Sequence, residues 1–406
     1  MTMNRRNFLA ATAALAGAGM LPLTTKAANT VELGSILDTS GVFDAYGKPM
    51  DMAMRLAVGE INATGGLNGE KINITAYDTQ SDMALYTQYG QQLTREDNVD
   101  VVHGGILSAS REAIRQTLRK AKTLYFYNVL YEGGVCDRNI FINGVTPAQQ
   151  VEALIPYAMK RAGKKVYVLA ADYNYGQITA EWIQKYVADN GGETVAVDFF
   201  PLDVSDFGST IAKIQAADPD LIVASLVGGA HLSFFRQWAA AGMNKKIPMA
   251  STTLGVGNEH KVLTAEEGDG IMVAYNYSQE LDTPENIAFK KKWADAYGDT
   301  SGIHEIAVSN YQGVLTWAEA VKQAGSTNRN DVIEALESGL SINGPAGLVT
   351  VDPNTHHAIL DVHIMELDGQ KMKVIETLQQ RQPIDTQAVC NLNTNPNDNT
   401  QYEIKF

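Results

Sequence analysis

The stretch VDVVHGGILSASREAIRQTLRKAKTLYFYNV, residues 99–129, decides the fold. It opens on a short apolar run that halts at Gly104 and Gly105. A helix-period segment, SREAIRQTLRKAK, follows, and then a second β-prone run, TLYFYNV. Strand, helix and strand of these lengths make a βαβ unit with parallel strands. Ser108 and Ser110 then fall at the carboxyl end of a strand and the mouth of a helix. Open α/β sheets take their ligands at that edge. Serines there suit a nucleophile, a helix cap or a clamp for a polar solute.

The nucleophile reading fails its signature. A G-x-S-x-G elbow needs glycines two residues either side of the serine, and here Ile106 and Ser110 stand there. No G-x-x-x-x-G-K-[ST] phosphate loop exists. Helix capping stays open, with Ser110 the better cap and Glu112 near the capping-box position. The exposed N–H groups of a helix start also favour an acceptor atom, and Ser108 is placed to donate its hydroxyl to the same atom.

Working outward, the alternation repeats. VELGSIL and KINITAY read as strands before the opening stretch, with helices over KPMDMAMRLAVGEINATGG and ALYTQYGQQLTRED. A second series holds the strands KVYVLAAD, ETVAVDFFPL, DLIVASL, IPMAS and IMVAYNY. Helices near 176–190, SDFGSTIAKIQAA and LSFFRQWAAAG separate them. This pattern predicts two parallel sheets in series, an α/β fold. Helices follow near 284–297, 303–323 and at VIEALES. GLVTVD, AILDVHIMEL and QKMKVIETL predict a β-meander, and the polar tail from about Gln379 predicts a loop. With no flexible linker between them, two lobes are expected to be joined by strand crossovers that act as hinges.

Composition agrees with a globular, two-lobed chain. Of 406 residues, 45% are hydrophobic and 19% charged, and the net charge is -14. So acidic a surface argues against nucleic acid and anionic membranes. The first residues, with Arg5-Arg6 before Phe8-Leu9 and a small-residue run ending near Ala27 or Ala28, read as a twin-arginine export signal. Lys26 fits that route. Residues 1–27 are expected to be removed, leaving an exported protein without membrane insertion. In an oxidising compartment the two cysteines, Cys136 and Cys390, suggest one disulfide; two separate thiols are the alternative.

Two aromatic clusters stand at strand ends. LYFYNVLYEGG puts Tyr127 at the end of one strand and Tyr131 in the loop after it. ADYNYGQ puts Asp172, Tyr173 and Tyr175 at the end of another. Tyrosines there either wall a pocket or fill a sheet edge; one cluster per lobe suggests a cleft lined from both sides. His356-His357 is the one adjacent histidine pair, and no H-E-x-x-H or Cys/His cluster is present. No metal is expected. No G-x-G-x-x-G follows the first strand, so no dinucleotide or other cofactor is expected.

Eight stretches, in chain order, carry a family resemblance: GEINATGGLNGEKI, GGILSASREAI, LYFYNVLYEG, NIFINGVTPAQQ, DYNYGQ, FPLDVSDFGSTIAKIQAADPDLIV, NYSQELDTPEN and NTHH at 354–357. Together the chain resembles the periplasmic solute-binding proteins of the branched-chain amino acid/amide type, nearest the urea and short-chain amide branch. The resemblance implies the type I periplasmic-binding fold, with two parallel-sheet lobes joined by strand crossovers around a cleft. It implies lobes of residues 28–147 with 276–355, and 148–275 with 356–406. Ser108 would bond the solute's polar head, and Tyr127 would set a ring beside it. Tyr173 and Tyr175 match the second-lobe aromatic site, and Val227 and Gly228 a second-lobe loop near the ligand. Residues 252–259 match the loop where amino-acid binders carry an acid for the ammonium group, which makes Glu259 a candidate.

The chain departs from the amide branch at Asn128, where a proline is usual, and at Gly105-Ile106-Leu107, where an aromatic or cysteine-containing run is common. Asn128 offers a further pocket hydrogen bond. The implied function is capture of a small polar solute, urea or a short-chain amide, by cleft closure. A branched-chain or other amino acid is the alternative ligand; an exported hydrolase or a ligand sensor is the rival class. An inner-membrane ABC permease is the expected partner of a monomeric periplasmic protein that does no chemistry itself.

Overall fold

The computed structural model describes residues 30–403. The expected twin-arginine signal and cleavage site lie outside the described residues. The first series runs β1 (Thr30–Leu37), α1 (Asp44–Ala63), β2 (Lys71–Asp78), α2 (Met83–Arg95), β3 (Val101–Gly104), α3 (Ser108–Ala121), β4 (Leu124–Tyr127), β5 (Val135–Asp137) and β6 (Ile140–Ile142). Five of these strands form a parallel sheet in the order β2-β1-β3-β4-β6.

The chain then crosses into α4 (Pro147–Ala162), β7 (Lys165–Ala171), α5 (Asn174–Asp189), β8 (Glu193–Phe200), α6 (Gly208–Ala217), β9 (Leu221–Ser225), α7 (Gly229–Ala240), β10 (Met249–Ser251), α8 (Ala265–Gly268) and β11 (Met272–Tyr275). It returns through α9 (Pro284–Tyr297), α10 (Glu305–Ala324) and α11 (Arg329–Glu337). The last elements are β12 (Ser341–Gly344), β13 (Gly347–Val351), β14 (Ala358–Asp368), β15 (Lys371–Arg381), α12 (Ile384–Gln387) and β16 (Asn399–Gln401). The second sheet holds β8-β7-β9-β10-β11 in parallel and continues antiparallel through β14, which carries β13 on one stretch and β15 along its length. β12 closes that ladder beside β13. The fold is therefore α/β with two mainly parallel sheets.

The deciding stretch folds as its composition dictates. β3 is buried throughout, as a parallel strand covered on both faces must be. It can end where it does because of two glycines. A Cβ at Gly104 would sit 2.3 Å from the Ile36 carbonyl oxygen, and Gly105 has φ +80° with the Tyr125 hydroxyl 2.7 Å from where its Cβ would be. α3 buries Ile114 and Leu118, one helical turn apart. The N-cap of α3 is Leu107, so neither serine occupies it. Ser110 instead locks the turn: its hydroxyl donates to the Leu107 carbonyl at 2.7 Å and accepts from the Ile106 N–H at 3.2 Å.

The outer face of the first sheet packs Val31, Leu33, Phe126 and Phe141 against Val308, Trp293 and Trp317 of the later helices. A second core runs from the other face of that sheet, through Val129–Tyr131 and α4, into the second sheet. Residues 352–357 come back alongside β6, where the Ile142 N–H donates to the His356 carbonyl at 3.0 Å.

The tail is not the plain loop expected from Gln379. β15 extends to Arg381, a short helix follows, and β16 pairs antiparallel with β5. Polar composition hid a three-residue strand whose partner lies far back in the chain. Cys136 of β5 is disulfide-bonded to Cys390, across 254 residues of sequence.

Candidate functional site

A small, partly open cavity lies between the two sheets, at the carboxyl ends of their strands. Phe43 and Tyr46 of the α1 start, the turn Ile106–Ser108, Val129 and Leu130 wall it from the first sheet's side. Tyr173, Tyr175, Val227, Thr253 and Val256 wall it from the second, and Ile306 of α10 completes it. No wall residue carries a formal charge. The lining is mainly aliphatic and aromatic, with hydroxyls from Tyr46, Ser108, Tyr173, Tyr175 and Thr253.

Several helices open onto this space with uncapped N-termini. The N-cap residues Phe43, Leu107, Tyr173 and Gly228 of α1, α3, α5 and α7 make no side-chain capping bond. The first N–H groups of such helices have no intrahelical acceptor. Asp82, Thr283, His304 and Asn328, by contrast, cap α2, α9, α10 and α11. The cleft thus meets a polar head with donors and the positive ends of helix dipoles.

The sequence-predicted residues divide into two groups. Ser108, Tyr173, Tyr175 and Val227 reach the cavity wall. Tyr175 is anchored there, its hydroxyl 3.1 Å from Thr252 Oγ1, which lies 2.8 Å from Ser225 Oγ. Gly228 stands one residue beyond Val227 with φ 71°, turning the chain into α7.

The others form the layer behind the wall. Tyr127 donates its hydroxyl proton to the Ile106 carbonyl at 2.7 Å. Tyr131 bonds His357 through its hydroxyl, which also accepts the Val135 N–H at 3.2 Å. Burial pushes the Tyr127 and Tyr131 hydroxyls well above the ordinary phenol range. Asn128 is fully buried in a closed network: Nδ2 donates to Asn310 Oδ1 at 2.7 Å, and Oδ1 accepts from Asn143 Nδ2 at 2.8 Å. It ties β4 to α10 and has no polar atom left for a solute. His103 lies beside it, held neutral by burial, which lowers its pKa to about 3. Glu259 accepts the Gly255 and Gly257 N–H groups at 2.9 and 3.0 Å on one oxygen and the Tyr46 hydroxyl on the other. Burial raises its pKa.

Two charged residues escaped the sequence reading. Glu132 and Arg111 form an ion pair at 2.8 Å with both side chains fully buried. Glu132 also accepts the Ser108 hydroxyl at 2.5 Å. The Arg111 guanidinium stacks over Tyr131, 4.6 Å from the ring centroid, and lies 5.3 Å from that of Tyr127. Twenty-one residues separate the two partners, so no local spacing announces them.

Among the described residues no group of three or more His, Cys, Asp or Glu side chains is disposed to hold a metal ion, and no helix is long and apolar enough to cross a membrane.

Two sheets facing one cavity, with loops from both closing on it, define a two-lobed binding protein. The family model described as periplasmic binding protein matches residues 30–371, and the chain belongs to that family. It is 23% identical to "Leu/Ile/Val-binding protein homolog 4" of Brucella melitensis over 388 residues, 90% of each chain. It is 24% identical to the leucine-, isoleucine-, valine-, threonine- and alanine-binding protein of Pseudomonas aeruginosa, covering 84% of this chain and 90% of that one. Among solved structures it resembles an R. palustris solute-binding protein in complex with 4-hydroxybenzoate, with TM-score 0.78, 22% identity and coverage of 87% and 98%. It also resembles a Streptococcus pneumoniae branched-chain amino acid binder in complex with isoleucine, with TM-score 0.77, 23% identity and coverage of 86% and 99%.

Proposed function

We propose that this protein is the periplasmic substrate-binding component of an ABC uptake system and captures a small neutral solute of the urea and short-chain amide class. The observation that carries this reading is the cavity wall: hydroxyls and uncapped helix starts from both sheets' sides, set among aliphatic and aromatic side chains, and no formal charge. A polar head with a compact apolar body matches it, which favours a short aliphatic amide over urea itself. A zwitterionic amino acid would need an acceptor for its ammonium group. Glu259, the acid nearest that role, has both oxygens bonded within the protein.

The lobes that close are taken to be built on residues 28–147 with 276–355, and 148–275 with 356–406. Strands β12 and β13 share the second ladder, and β16 is bonded beside the first sheet. Closure buries the solute, and the closed form docks on an inner-membrane permease that hydrolyses ATP elsewhere. Thermal-shift screening tests the reading, because a ligand that binds the folded state raises its stability. Acetamide, propionamide or urea should stabilise the protein. A shift with leucine or isoleucine and none with any amide would replace the ligand class; turnover of an amide would replace the protein class.

A further inference from the structure

We propose that Glu132 sets Ser108 as a hydrogen-bond acceptor toward the solute, so that the head group must present an N–H there and a carboxylate is refused. The inference rests on the amide reading above and assigns the residue that makes the choice.

A serine hydroxyl has one proton and two lone pairs. The proton of Ser108 goes to Glu132 Oε2 at 2.5 Å, where both residues are at most 2% exposed. Glu132 cannot readily turn away. Its other oxygen accepts Arg111 Nη2 at 2.8 Å, and Asn174 Nδ2 reaches the same oxygen at 3.4 Å. Charge-assisted bonds of this kind are the strong ones. A second polar group beside Ser108 is the Tyr127 hydroxyl. Its own proton is directed to the Ile106 carbonyl, so it too faces Ser108 as an acceptor. Turning the serine toward Tyr127 therefore exchanges one internal acceptor for another, and turning it toward the solute gives up the charge-assisted bond to Glu132.

Only lone pairs of Ser108 then face the cavity. The donors at that end are the first N–H groups of α3, uncapped because its N-cap is Leu107. A primary amide satisfies both: its NH₂ donates to Ser108 Oγ and its carbonyl accepts from the helix mouth. A carboxylate of the same shape brings two acceptors, one of them set against a serine lone pair with the Glu132 charge behind it. Buried groups left unmatched in this way weaken binding by about 10- to 100-fold. Arg111 does not line the cavity and stays stacked on Tyr131. Glu132 also touches the second series of elements, through Asn174 and through Trp182 Nε1, which donates to its carbonyl at 3.3 Å.

The experiment compares propionamide with propionate by calorimetry on the full mature chain and on Glu132→Gln. In that variant Arg111 holds the new side-chain amide by its oxygen, which places the NH₂ on Ser108 and releases the serine's proton from the carboxylate, leaving the solute to compete for it with the neutral Tyr127 hydroxyl. The native protein should prefer propionamide by about 10-fold or more, and the variant should lower that ratio by a similar factor. Propionamide binding with a ratio unchanged in Glu132→Gln overturns the role of Glu132 and leaves the amide reading standing. Binding of neither probe, or of propionate alone, overturns both. Should Glu132→Gln fail to fold, Ser108→Ala serves: the amide preference should collapse, and its survival overturns the inference.

Discussion

Tyr46 donates its hydroxyl proton to the carboxylate of Glu259 across the mouth of the cleft. The tyrosine sits on α1, against the first sheet, and the glutamate follows β10 of the second. The remaining Glu259 oxygen is gripped by two backbone N–H groups of its own loop. The pair therefore joins one wall of the cavity to the other. Buried as it is, its cost if broken exceeds that of an exposed contact.

Tyr46→Phe should accordingly weaken solute binding by about 1–3 kcal/mol, the range for a lost hydrogen bond to a buried charged partner. Solution scattering on the unliganded variant should show a larger radius of gyration than the native chain. An unchanged radius with unchanged affinity would show that this bond does not hold the lobes together.

Asn128→Ala should act on stability and much less on ligand choice. It strands Asn310 and Asn143, both buried, at a cost of about 1–3 kcal/mol each way the network is cut. Denaturant unfolding checks the first part and calorimetry the second.

Glu305 makes stability depend on pH. Burial at the start of α10 raises its carboxyl to about 8, and one of its oxygens lacks a hydrogen-bond partner among the described residues. Between its ordinary value and about 8 the folded state binds more protons than the unfolded one, so stability falls as pH rises through that window. Glu305→Gln should flatten the decline and stabilise the protein at about pH 8.5, above the point where the native carboxyl has lost its proton. A variant melting curve that tracks the native one across that range would refute this.

Replacing both cysteines, Cys136→Ser with Cys390→Ser, should cost about 2–5 kcal/mol of stability, as loss of a native disulfide closing a long loop does. Calorimetric melting in oxidised and reduced buffer provides the control.

Parts of this site were readable because geometry follows from strand–helix junctions. Ser108, Tyr173 and Val227 each stand where a parallel strand passes into a helix, and such junctions share one sheet edge. Tyr127, Asn128 and Tyr131 occupy a similar place, yet they turn behind the wall. Which side of a loop meets solute depends on what packs opposite, here α10 and the 352–357 segment, and those arrive late in the chain. Glu132 lies within LYEGG without drawing notice, since an isolated acid has no signature. Its meaning comes from Arg111, and their meeting is a product of tertiary structure. The strand β16 was unreadable for the same reason.

That terminal strand reaches further than its length suggests. Gln401 accepts from Arg111 Nη2 at 2.9 Å and donates to the Gly133 carbonyl at 2.7 Å, on either side of Glu132. The Arg111–Glu132 pair is thus braced by bonds that reach 290 and 268 residues along the chain. β16 belongs to neither main sheet, so its side-chain bonds brace the layer behind the cavity wall without adding to either sheet.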